Sequence, residues 1–69
     1  MKTLTQIRDK IKRLKKELNG KKVYENFGDN EQRELDDYIG DIWSYSYEDR
    51  ILIASYAKQF FEWCYNYTG

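Results

Sequence analysis

Five aliphatic residues near the N-terminus, Leu4, Ile7, Ile11, Leu14 and Leu18, recur at intervals of three, four, three and four. On a helix that spacing draws one narrow apolar stripe, the pattern of a coiled-coil seam, and it has no counterpart in the two-residue alternation of a strand. Thr3 is a good N-cap, with Gln6 three residues on to close a capping box. Asn19-Gly20 supplies a left-handed stop. The spacing predicts a helix over about 4–18, about 22 Å long at the usual rise per residue.

Glycines punctuate the rest of the chain, which has no proline. After Gly28, Asp29 reads as the N-cap of a second helix over about 30–39, with Gln32 as its capping partner. Glu31 and Glu34 suit the positive helix end, and Leu35, Tyr38, Ile39 and Ile42 form its apolar face up to the break at Gly40. Ser46, with Asp49 three positions on, opens a third helix over about 47–66. Its Ile51–Ala54 run resembles a strand, but the periodic pattern continues too long for one. This helix is apolar almost all round, with Leu52, Tyr56, Phe60, Trp63 and Tyr67 on one face and Ile53, Ala57, Phe61 and Cys64 on the next. It is therefore expected to be the central element, covered by the other two. The reading is an all-α, small three-helix domain spanning 1–69. Its first helix either packs as a hairpin, antiparallel to the third, or projects as a coiled-coil arm that makes a dimer.

A domain of 69 residues buries only about 60% of the surface its unfolded chain exposes, so its core is thin. Seven Tyr, three Phe and two Trp are expected to compensate, since each large ring buries ~150–250 Å². Cys64 is the sole cysteine and there is no histidine. No disulfide within the chain, structural zinc site or cofactor is expected, and Cys64 reads as a buried core thiol in a reducing compartment. No apolar run reaches the ~18 residues of a membrane span. The first residues lack the apolar core of a signal peptide. Both point to the cytoplasm, with no membrane partner.

The net charge of zero conceals a split. Residues 1–22 hold nine Lys/Arg against two acids, a net +7, and residues 23–69 hold three against ten, a net −7. The split supports two binding readings. Tyr38, Trp43, Tyr45, Tyr47 and Tyr65, in the acidic half, are candidate protein-interaction residues, because Tyr and Trp lead interface hot spots. Lys12, Arg13, Lys15, Lys16, Lys21 and Lys22 are candidate nucleic-acid-binding residues, although no aromatic residue lies among them in sequence. Opposite charges also favour attraction between the halves, with the segment after Lys21-Lys22 as the hinge that brings them together.

That segment, "YENFGDNEQRELDDYI" (Tyr24–Ile39), resembles small phage- and prophage-encoded proteins with the pattern E-N-F-G-x-x-E-x-R-x-L, in which a lysine-rich helix precedes the motif and a short helix comes after it. Glu25, Asn26, Phe27, Gly28, Glu31, Arg33 and Leu35 match. Asp29 and Gln32 stand where the family often has Gln and Val. The resemblance covers about a quarter of the chain. It implies a mobile-element origin and carries over no catalytic role. No residue set supports catalysis either: neutral-pH acid–base chemistry lacks a histidine, and Cys64 has no adjacent base. The expected function is that of a non-catalytic accessory protein binding a host or phage protein, or itself, with nucleic-acid binding by the basic helix as the alternative.

Overall fold

A computed structural model describes residues 1–67. It contains three α-helices, α1 (Leu4–Leu18), α2 (Asp29–Ile39) and α3 (Tyr47–Tyr65), with one 3-10 turn, Ile42–Ser44, before α3. The bundle measures 37 × 16 × 15 Å. In α1 the capping box is complete: Gln6 N donates to Thr3 Oγ1 at 3.1 Å and Thr3 N donates to Gln6 Oε1 at 2.9 Å. Lys15 and Lys16 occupy the last turn, where the helix dipole favours cations. Ile7, Ile11, Leu14 and Leu18 are all buried. At about 1.5–3 kcal/mol for each such side chain, this stripe is a principal source of stability.

Because the chain itself covers the stripe, α1 is neither a projecting arm nor a coiled-coil seam for a second copy. Leu14 is fully enclosed, so a charge there unfolds the domain.

The chain runs up, down and up. Lys10 pairs with Glu34 and Lys2 lies over Tyr38, so α1 and α2 are antiparallel. Arg8 meets Tyr56, Lys15 meets Trp63 and Asn19 meets Tyr67, so α1 and α3 are parallel. The expected antiparallel pairing of the first and third helices is thereby corrected: with α2 packed between them in sequence, two reversals restore the direction.

The first reversal explains the glycine of the motif. Gly28 has φ +85°, and a Cβ built there would lie 2.6 Å from Cys64 Sγ and 2.9 Å from Cys64 Cβ. Only glycine fits both the left-handed backbone and the contact with α3. Gly28 is also the N-cap of α2, without a side-chain cap bond. Asp29, the expected cap, is the first helical residue instead. Phe27 stacks on Tyr67 with centroids 4.7 Å apart and meets Tyr24 edge-on at 6.0 Å.

The second reversal uses Gly40 (φ +75°) and then Asp41, whose Oδ1 accepts from Trp43 N at 3.0 Å. Ser46 caps α3 by accepting from Asp49 N at 3.2 Å. Contrary to expectation, α3 is not the central element. Only Ile53, Phe60 and Cys64 of its side chains are buried, whereas Leu52 and Phe61 are exposed. Two neighbouring helices cover only part of its girdle. The core is also less aromatic than expected: seven of its eleven buried residues are aliphatic, and only Phe27, Tyr45 and Phe60 are aromatic. Among the described residues no helix is long and apolar enough to cross a membrane.

Candidate interaction surface

The five aromatic candidates divide by location. Tyr45 leaves the set because it is a core residue. Its hydroxyl donates to Ile39 O at 2.9 Å and accepts from Lys2 N at 3.2 Å, tying the end of α2 to the start of the chain. Tyr38 is half-buried, with Lys2 Nζ 4.6 Å and Lys10 Nζ 5.4 Å from its ring centroid. Trp43, Tyr47 and Tyr65 are 76%, 71% and 81% exposed. The 3-10 turn accounts for Trp43: it turns Tyr45 inward while holding the indole out.

Trp43 and Tyr47 clasp the Arg50 guanidinium, whose Cζ lies 4.9 Å and 5.7 Å from the two ring centroids. Each such cation–π contact contributes ~0.5–1 kcal/mol at an exposed site. Arg50 Nε is buried without a hydrogen-bond partner, so the cluster carries an unsatisfied donor. The patch extends along α3. Tyr47, Ile51, Ala54, Lys58, Phe61 and Tyr65 are spaced four, three, four, three and four, and all are exposed, with Ile51 at 54% and Phe61 at 52%. This repeats the α1 pattern on a face that no helix of the chain covers. Sequence reasoning missed Ile51, Phe61 and Arg50 because the inner stripe of α3 overlies the outer one. The signal was present as spacing without a hydrophilic face to set it off.

Acidic residues of α2 border this face. Asp36 lines one groove with Ile53, Ala54 and Ala57, and Asp29 lines a separate one with Phe61 and Tyr65. Among the remaining motif residues, Leu35 is core, Glu31 is half-buried, and Glu25, Asn26 and Arg33 are exposed. Asn26 acts through its backbone carbonyl, which accepts from Asp29 N at 3.1 Å. Burial pushes the Cys64 thiol above its ordinary value, Glu31 and Asp29 push the same way, and Lys15 opposes them. A thiol held protonated at neutral pH is a poor nucleophile.

Of the basic candidates, Lys12, Arg13, Lys16, Lys21 and Lys22 are exposed and Lys15 is half-buried. The two charged halves are joined sparingly. Among the described residues the single ion pair is Lys10–Glu34 at 2.8 Å. The turn therefore reverses the chain without zipping its charges together. The cations of α1 rest instead on rings: Lys15 Nζ lies 5.5 Å from Trp63, and Arg8 Cζ 5.7 Å from Tyr56. No family model, no curated protein and no solved structure matches the chain.

Proposed function

We propose that the protein is a non-catalytic binding module, of the phage or prophage accessory type, that docks a protein partner on the outer face of α3. The observation that carries this reading is the exposed Trp43–Arg50–Tyr47 cluster, continuous with Ile51 and the stripe that ends at Phe61 and Tyr65. Trp, Tyr and Arg are the residue types in which binding hot spots concentrate. Exposed large apolar side chains gathered on one face mark interaction sites, and here Lys58 alone interrupts them. Its chemistry selects the occupant. Heptad spacing fits the knobs of another helix. The bordering acids of α2, Asp29 and Asp36, favour basic flanks on that helix. The partner is thus a protein that presents a basic amphipathic helix.

Capture from nuclease-treated bacterial host lysate tests this, with wild type run beside the Trp43→Ala/Tyr47→Ala double variant. The wild type is expected to retain one stoichiometric protein that the variant loses. Hydrogen exchange on the complex is expected to protect a basic helix of that protein. Equal retention by both baits, or protection of a segment that is neither helical nor basic, overturns the reading.

A further inference from the structure

The opposite flank of α3 has a different character. Where α1 and α3 run side by side, Arg8, Lys12 and Lys15 of α1 face Tyr56 and Gln59 of α3 across a groove of about 190 Å³. Each cation follows the last by about one helical turn, so they form a file along the groove. None of the three has a carboxylate partner among the described residues. Two are held by rings instead: Arg8 over Tyr56, and Lys15 over Trp63. Ring contacts fix the position of a cation without neutralising it, so the charge stays available to an outside anion.

From this arrangement we propose a second binding site, for the phosphodiester backbone of nucleic acid, in the α1–α3 groove with Arg8, Lys12 and Lys15 as its phosphate contacts. Parallel packing of α1 and α3 creates the site, by bringing aromatic residues from the far end of the sequence beside the basic helix. The rings serve as supports and take no base. Trp63 is already engaged within the chain, by Phe60 with centroids 6.2 Å apart, by Tyr67 at 5.0 Å and by Lys15, so it is not a free platform for base stacking. Recognition is therefore of charge and spacing. It is indifferent to sequence, and it favours duplex over single strand because duplex carries the higher charge density.

Three phosphate contacts predict a slope of about −2.7 in log K against log salt on duplex DNA, and removal of one contact flattens it by about 0.9. The experiment is fluorescence anisotropy of a labelled duplex of scrambled sequence, titrated with the full chain over a range of salt. Lys12→Glu is the test variant, because Lys12 is exposed and supports no core contact. Arg33→Glu, on α2, is the control with the same change in net charge. Wild-type binding with that slope is expected, weakened about tenfold and flattened by Lys12→Glu and changed less than twofold by Arg33→Glu. Circular dichroism on each variant establishes that it is folded. Equal weakening by both variants overturns the site in favour of net charge alone. Absence of binding at low salt overturns it outright. A strong preference for single strand overturns backbone recognition. Retention on phosphatidylserine vesicles without binding to duplex assigns the groove to lipid headgroups and overturns the proposal.

Discussion

Gly28 and Cys64 constrain each other through a close approach that leaves no room for a Cβ at position 28. Gly28→Ala adds a left-handed backbone penalty of about 1–2 kcal/mol to an overpacking cost of about 1–3 kcal/mol. A domain of this size holds only about 3–10 kcal/mol in all, so chemical denaturation of Gly28→Ala is expected to show a loss of several kcal/mol. In the Cys64→Ala background the same substitution is expected to cost less, because the Sγ at 2.6 Å is gone. Strict additivity in that double-mutant cycle contradicts the contact. The thiol makes a second prediction. Its folded pKa lies above the ordinary 9.0, so the folded state holds this proton longer than the unfolded one does. The associated stability is complete below pH 9.0 and is lost as pH rises past it. Denaturation on either side of pH 9.0 is expected to show a steeper alkaline decline in wild type than in Cys64→Ala. The sequence made Phe27 and Gly28 visible as a motif, but it did not reveal Cys64 as the partner of Gly28, because the whole of α2 and the second chain reversal lie between them.

At the level of elements, α1 was legible almost to the residue. Its stripe, its capping box and its stop are all local, and local signals survive folding unchanged. Thr3→Ala removes one side of that box and is expected to lower stability by about 1 kcal/mol in thermal unfolding. The start of α2 was misplaced by one residue, since a left-handed glycine replaced the side-chain cap that Asp29 offered. The existence of α3 was legible, but its buried side was not. A helix apolar all round gives no contrast from which to choose a face, and the choice fell to the neighbours that geometry allowed. The same ambiguity hid most of the candidate surface: Trp43, Tyr47 and Tyr65 were found by residue type, whereas the stripe that joins the last two was not. Ile51→Glu is expected to change stability by no more than about 0.5 kcal/mol, whereas Ile53→Glu, two residues on and fully enclosed, is expected to unfold the domain. Melting curves of the pair distinguish the two faces.

For the molecule as a whole, the arrangement of charge is more distinctive than its total. Six cationic side chains against two acidic ones lie on α1, and five acidic against one cationic on α2, with a single ion pair between the helices. Lys10→Ala is accordingly expected to cost under about 1 kcal/mol, since the Glu34 carboxylate it releases is largely exposed. A transition shifted by much more in urea denaturation rules out so small a role for charge pairing. Helices packed about 8–10 Å apart with opposite charge make the protein a large electric dipole with no net charge. In dilute buffer nothing but thermal motion prevents such dipoles from aligning head to tail or side by side, and no overall repulsion keeps the molecules apart. Added electrolyte shortens the reach of each pole to within about 10 Å at 0.1 M. Salt should therefore dissolve this protein: it is least soluble in pure water and salts in as ionic strength rises, the reverse of a particle kept dispersed by its net charge.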